Sequence, residues 1–392
     1  MPDNLLLMIP GPIEVSPPVK KAFSVPPPSH VSAGVIDAFG SSIEKMRQVW
    51  RSAEDSQPFI FPGSGTLAMD MAVANLVDPG DRALLVNTGY FSERLGEMLR
   101  RRGAEVVEVG RDPGYAPSAE EVIARLDEDG PFKVLGATHV DTSTGVRLNP
   151  EPLARAAAER GVLSIFDGVC ATVGETFEME AWGADVYLTG SQKALGLPAG
   201  LGLLVASRRA MEAREQLKVA PPLSMDWHAW GSIMQAYEAR RPSYFATPPT
   251  NLILALDVAL DEILDDEERG VAAVWEKHAQ VGAAMRKAWK ALDLKLLPAR
   301  EGAAANTLSA VRYPEGLGPD LLARIRARGV VVAGGLLPGM KERYFRVGHM
   351  GYVTRRTDLL HRTVLAIERA LVECGHIITP QAGTEALLNE LG

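Results

Sequence analysis

Between residues 58 and 206, apolar runs the length of a β-strand alternate with stretches of helical period. This alternation limits the fold more than any other feature of the chain. Strand-like runs occupy residues 83–87, 104–109, 133–138, 162–166, 184–189 and 201–206. Between them, residues 65–77 place Leu67, Met71, Ala74 and Val77 on one helical face. A second helix at 93–101 stops at Gly103, a third at 118–126 takes Ser118 as its N-cap, and a fourth at 152–160 closes at Gly161. Strands that alternate with helices predict an α/β fold with a mostly parallel sheet covered on both faces. In such sheets ligands collect at the carboxyl ends of the strands.

The rest of the chain reads differently. Residues 221–249 are rich in proline and aromatics (Trp227, Trp230, Tyr237, Tyr244, Phe245) and predict an irregular segment with helical pieces. Residues 251–292 are strongly helical and link the sheet region to a smaller C-terminal unit. That unit has strands at 307–312, 330–333 and 344–347 and an amphipathic helix at 358–373. A chain of 392 residues is long enough for two domains. The net charge of −8 argues against nonspecific nucleic-acid binding. Two cysteines, Cys170 and Cys374, are too few for a disulfide framework and fit a reducing compartment. The apolar run 5–9 is too short to span a bilayer and lacks the flanks of a signal peptide, so the cytoplasm is the expected location, with no membrane partner. No metal site is expected.

Two charged side chains stand just past the ends of apolar runs. Asp167 follows 162–166, and Lys193 follows 184–189 across small residues. Such a pair is what a pyridoxal phosphate enzyme needs: the amine holds the aldehyde as a Schiff base, and the carboxylate keeps the pyridine nitrogen protonated. Taken singly, Asp167-Gly168 is also a common turn, and Lys193 is also a solvated lysine at a helix start. Thr142, in the hydroxyl-rich loop 138–145, lies past a third strand end, and the convergence of all three points to chemistry.

Other stretches carry two readings each. Residues 62–66, Pro-Gly-Ser-Gly-Thr, open a helix whose free amides and hydroxyls suit a phosphate, or are simply a capped helix start. They match neither the dinucleotide-binding nor the P-loop glycine pattern. Residues 87–91 follow a strand with Tyr90 and Phe91, and an aromatic there stacks on a flat ring or fills the core. Arg346 lies within an apolar run and needs a partner, either a substrate carboxylate or an internal salt bridge. His349 reads as a structural histidine.

These residues together resemble the class V aminotransferases of fold type I, and within them the alanine–glyoxylate and serine–glyoxylate (serine–pyruvate) enzymes. The resemblance rests on Pro10-Gly11-Pro12, Gly63-Ser64-Gly65-Thr66, residues 141–146, Asp167, Gly190-Ser191-Gln192-Lys193-Ala194, Tyr244 with Thr247, and Arg346-Val347-Gly348, which span nearly the whole chain. It implies an N-terminal segment (1–20) packed near the site, a large domain (21–260) with a mostly parallel seven-stranded sheet, and a smaller α+β domain (261–392). The implied cofactor is pyridoxal 5'-phosphate. Lys193 would carry it, and Asp167 would face the pyridine nitrogen. Ser64, Gly65, Thr66 and Gln192 would hold the phosphate. Phe91, where relatives often have tryptophan, would stack on the ring, with Tyr90 its neighbour. Thr142 would contact the ring hydroxyl, with Ser143 close by. Tyr244 and Thr247 would reach the phosphate of the other subunit, so a homodimer completes the site. Arg346 would bind the substrate carboxylate.

The implied reaction is a two-stroke transamination from a small donor, alanine or serine, to glyoxylate or pyruvate. Arg346 is the one arginine with a motif-supported role, which favours donors with a single carboxylate. Arg240, Arg241 or Arg343 folding inward would instead admit an aspartate or phosphoserine donor. A cysteine desulfurase on the same fold would carry histidine where this chain has Gln192, and would need a cysteine on a mobile loop. A binding protein that kept the pocket without turnover is the remaining alternative.

Overall fold

The computed structural model describes residues 5–110, 112–266 and 268–392. Its apolar runs form one seven-stranded sheet, in the order Gln57–Pro62, Leu201–Ala206, Val186–Gly190, Leu163–Asp167, Val134–Thr138, Arg82–Asn87, Glu105–Gly110. Within it only Leu201–Ala206 is reversed, antiparallel to both neighbours. The central strands are buried along their whole length, which is why they read as continuous apolar runs rather than alternating ones. After the far edge strand Gln57–Pro62, the chain lays Arg82–Asn87, adds Glu105–Gly110 on one side, then returns to build toward that edge on the other. That reversal leaves a crevice beyond the carboxyl ends of Arg82–Asn87 and Val134–Thr138.

Two apolar cores are packed. The first surrounds the large sheet and takes in the helix Ala33–Trp50 through Phe39, Ile43, Met46 and Trp50. The second joins a three-stranded antiparallel sheet, with Tyr344–Gly348 between Leu308–Arg312 and Ala333–Gly334, to the helices Val271–Ala291 and Thr357–Glu373. The helix Val271–Ala291 connects the cores: Val271 and Trp275 lie in the first, Val281, Met285 and Trp289 in the second. The N-terminal strand Leu6–Leu7 pairs in parallel with Val330–Val331, so the first residues belong to the second core.

Several expected boundaries shift for physical reasons. The stretch 251–292 forms two helices, Thr250–Ile263 and Val271–Ala291, and Gly270, at φ 52°, holds the N-cap position of the second. Residues 330–333 divide between two sheets: Val330–Val331 pairs with the N-terminus and Ala333–Gly334 with Tyr344–Gly348. The helix placed at 152–160 runs Pro150–Glu159, with Asn149 capping it and proline at its first position. Cys374 lies just past the helix Thr357–Glu373 rather than within it. The edge strand Gln57–Pro62 and the helices Ala33–Trp50 and Ala382–Leu391 had no counterpart in the sequence reading. No helix among the described residues is long and apolar enough to cross a membrane.

Candidate active site

Lys193 follows the strand Val186–Gly190 on a tight turn. The Ser191 hydroxyl donates to the Pro198 carbonyl (2.7 Å) and accepts from the Leu201 amide (3.2 Å), which fixes that turn. The lysine side chain is buried, and its ammonium donates to the carbonyl of Pro10. The next residue, Gly11, has φ 105°, and a Cβ there would lie 2.7 Å from Lys193 Cδ. Only glycine lets the N-terminal segment press this closely on the lysine shaft. Burial pushes the Lys193 pKa down, helped by the positive field of Arg346 and opposed by Cys170 and Asp167.

Asp167 ends the neighbouring strand Leu163–Asp167, in register with Thr138. One carboxylate oxygen accepts from the Val169 amide (2.9 Å) and the other from the Thr138 hydroxyl (3.4 Å). Burial raises its pKa to about 7 against these hydrogen bonds and the Lys193 charge. Two opposite groups at adjacent strand ends are thus each biased toward their neutral forms by a dry environment.

A third buried acid, Asp141, organises the crevice. The helix Tyr90–Arg102 begins after Gly89, which has no side chain with which to cap it. Asp141 supplies that cap from across the crevice: one oxygen accepts from the Phe91 and Ser92 amides (3.1 Å each) and the Ser92 hydroxyl (3.0 Å). This is why the helix starts at Tyr90, earlier than residue 93. The other oxygen accepts from the Ser143 amide (3.0 Å) and hydroxyl (2.6 Å). Gly89, at φ 156°, must lack a Cβ, since one would lie 2.8 Å from the Asp141 carboxylate. The two loops that flank the crevice are therefore tied through one carboxylate.

That tie separates candidates the sequence left open. The Ser143 hydroxyl is engaged by Asp141 and by the Tyr90 amide (3.0 Å), whereas the Thr142 hydroxyl has no hydrogen-bond partner among the described residues. Tyr90 packs against the small cluster of Leu297, Ala310, Leu337 and Tyr344. Phe91 belongs to no such cluster and meets Tyr90 edge-on at 5.4 Å.

At the helix Gly65–Leu76, Ser64 is the N-cap and accepts from the Leu67 amide (3.2 Å). The Thr66 hydroxyl accepts from Arg94 (3.1 Å). Gln192 carries a buried amide oxygen without a partner, and a Cβ on Gly190 would lie 3.0 Å from both that oxygen and the Gly65 amide. An orphaned amide beside a helix start is an incomplete hydrogen-bond set.

Arg346 sits mid-strand in the small sheet, half-buried. Nε donates to the Gly334 carbonyl (2.9 Å) and Nη1 to the Thr142 carbonyl (3.2 Å). No carboxylate pairs with it among the described residues, so the internal salt bridge does not form. The same strand is latched to the loop at Tyr344, whose hydroxyl donates to the Ser143 carbonyl.

Ser64, Gly65, Thr66, Phe91, Thr142, Asp167, Gln192, Lys193 and Arg346 thus sit on elements that meet at the crevice. Tyr244 and Thr247 do not join them: both are exposed, Tyr244 by 67%, with its ring 5.6 Å from that of His30. Arg240 is spent on Glu44 through two contacts of 2.9 Å, and Arg241 and Arg343 are exposed. Cys170 is buried beside Thr307 and occupies no exposed loop. His349 is buried, bonded to Ser309 (2.9 Å) and pushed down to about 3 by desolvation. Sequence reasoning gave no role to Asp141, Arg94 or the Pro10 carbonyl. Arg94 was detectable, lying one helical turn after Tyr90 and Phe91.

The family model for aminotransferase class-V matches residues 29–341. Alanine–glyoxylate aminotransferase 1 of Saccharomyces cerevisiae is 36% identical over 374 residues, covering 90% of this chain and 94% of the relative. The L-aspartate–glyoxylate aminotransferase of Paracoccus denitrificans is 32% identical, covering 89% and 87%. A solved alanine–glyoxylate aminotransferase from Nostoc sp. superposes with a TM-score of 0.85 at 29% identity, covering 95% and 96%. The chain belongs to the class-V aminotransferases.

Proposed function

We propose that this class-V aminotransferase uses pyridoxal 5'-phosphate to move an amino group from a small amino acid, alanine or serine, to glyoxylate or pyruvate. The observation that carries the reading is the buried pair Lys193 and Asp167 at adjacent strand ends, near an arginine, Arg346, with no carboxylate partner among the described residues.

The residues present fit the cofactor. Asp167 is a buried acid whose pKa burial raises, and a protonated pyridine nitrogen beside it would favour its ionised form. The orphaned Gln192 amide, which can present either its oxygen or its nitrogen, joins Ser64, Gly65 and Thr66 as a phosphate cradle. The unengaged Thr142 hydroxyl suits the ring hydroxyl, and Phe91 suits the ring face. When bound, the cofactor supplies a covalent electron sink for the substrate's α carbon.

The chain's own part in the reaction follows from charge and burial. Arg346 grips the substrate α-carboxylate and orients the α C–H bond. Lys193 Nζ, held toward its neutral form by burial, would take the proton from the substrate α carbon and deliver it to the former aldehyde carbon of the cofactor. Pro10 and Gly11 cover the lysine and exclude water. Asp167 stays ionised opposite the ring nitrogen throughout. Arg240 is bound to Glu44 and Arg241 and Arg343 are exposed, so none of these three offers a second carboxylate site, which favours donors with one carboxylate, while the Paracoccus relative keeps aspartate as the competing donor.

Tyr244 and Thr247 lie exposed, as expected of residues that complete the phosphate site of a second copy, so the working unit is a homodimer. Residues 21–260 act as the large domain and 261–392 as the small one, with 1–20 closing over the lysine, in a cytoplasmic enzyme. A panel of amino donors with glyoxylate and pyruvate as acceptors tests the reading. Alanine or serine should give the highest kcat/KM with glyoxylate. A clear preference for aspartate would move the donor assignment, and absence of any keto acid product would leave a binding protein.

A further inference from the structure

We propose that Arg94 is the cation of the phosphate site, a role that rests on the pyridoxal phosphate reading above. A phosphate monoester carries about −1.5 to −2 charges near neutral pH, while a helix N-terminus offers only about +0.5. Ser64, Gly65, Thr66 and Gln192 contribute hydroxyls and amides but no formal charge. Arg94 stands beside them, one turn into the facing helix Tyr90–Arg102. Its Nη1 lies 3.1 Å from the Thr66 hydroxyl and its Nη2 lies 2.8 Å from the Tyr90 hydroxyl. Two of its five N–H groups are thus used, both on neutral oxygens.

Of this helix's arginines, Arg94 and Arg102 make no ion pair among the described residues; Arg102 donates to the carbonyls of Val77 (2.8 Å) and Val219 (2.6 Å), which leaves Arg94 as the one that touches Thr66. On the same helix Arg100 pairs with Glu108 and Arg101 with Glu97 (2.8 Å). Arg94 is half-buried with no carboxylate partner among the described residues. Its guanidinium carbon lies 4.9 Å from the Tyr90 ring centroid and 5.3 Å from that of Phe91. The rings hold the fork in place without neutralising it. An anion seated at Thr66 meets a fixed, uncompensated guanidinium, and the same side chain braces the aromatic proposed to cover the cofactor ring. Arg94 thus matches the phosphate by charge and the stacking residue by position.

The test separates these two roles. Full-length protein freed of cofactor is titrated with pyridoxal 5'-phosphate and with pyridoxal, which lacks the phosphate, for the native chain, Arg94→Ala and Arg94→Lys. The native chain should prefer the phosphorylated form, and Arg94→Ala should lose about tenfold or more of that preference. Its affinity for pyridoxal should stay within about twofold, which also shows that the variant pocket is folded. Arg94→Lys, with charge but no fork, should fall between. Equal losses for both ligands would mean that Arg94 only supports the aromatics. An unchanged preference, or a raised KM for the amino donor alone, would remove it from the phosphate. If the native chain binds neither ligand, the cofactor reading itself fails.

Discussion

The crevice has two walls of different construction. One is the carboxyl edge of the seven-stranded sheet, where Lys193 and Asp167 are buried and desolvation disfavours their charged forms. The other is the middle strand of the small sheet, where Arg346 is half-buried and stays cationic on the carbonyls of Gly334 and Thr142. A lysine can give up its proton when buried, and an arginine cannot. The first wall therefore suits proton transfer and the second suits anion binding. Chemistry and recognition are thereby divided between two cores, joined by the helix Val271–Ala291 and by Asp141 and Tyr344 at the loop between them.

Substitutions on each wall sharpen or break this division. Lys193→Ala should have the largest effect, a fall in turnover on the order of 10⁴-fold with loss of the lysine-bound cofactor absorbance. A persistent band would assign the cofactor to another lysine. Asp167→Asn should cost on the order of 10²-fold in turnover, since the variant cannot hold the ring nitrogen cationic. The same change should stabilise the cofactor-free fold. The Asp167 pKa is 3.8 in an ordinary setting and about 7 in the folded chain, so the native carboxylate loses stability as pH rises between these values, and the penalty is complete above about 7. The advantage of the asparagine variant should therefore grow from about pH 4 to about pH 7 and then level off. A flat difference in denaturant titrations would show that the site is wetter than its burial implies.

On the second wall, Arg346→Ala should act mainly on KM. Charge-assisted hydrogen bonds worth about 1.5–3 kcal/mol correspond to roughly 10- to 100-fold in KM for the amino donor, with a smaller change in kcat. A loss confined to kcat would place Arg346 with the chemistry and erase the contrast between the walls. At the junction, Asp141→Asn turns one accepting oxygen into a donor that faces other donors. It should cost about 1–3 kcal/mol in unfolding free energy and weaken cofactor binding, while leaving KM ratios among donors unchanged. Stability equal to the native chain's would show that the two loops hold together without the carboxylate.

Much of the first wall was legible from sequence because a parallel strand buried on both faces is a bare apolar run, and a charged residue at its end stands out. Asp167 and Lys193 stood out in this way, as did the helix start at Ser64. The second wall was harder to read. Arg346 was visible, but its partners Gly334 and Thr142 contribute backbone carbonyls, which no side-chain pattern reveals. Gln57–Pro62 escaped notice because Pro58 and Pro62 interrupt its apolar run and it pairs with a reversed strand 139 or more positions away in the chain. The early start of the helix at Tyr90 was hidden because its cap, Asp141, comes from another loop.

The amino acids alone determined the alternating α/β architecture and the chemical types at the strand ends, because periodicity and burial are local properties of the chain. Tertiary structure alone decided which of two adjacent groups is free, Thr142 rather than Ser143 and Phe91 rather than Tyr90. It also decided that Arg94 and Arg346 have no carboxylate partner among the described residues. Availability depends on which partners arrive from distant segments, and that is a property of packing in three dimensions.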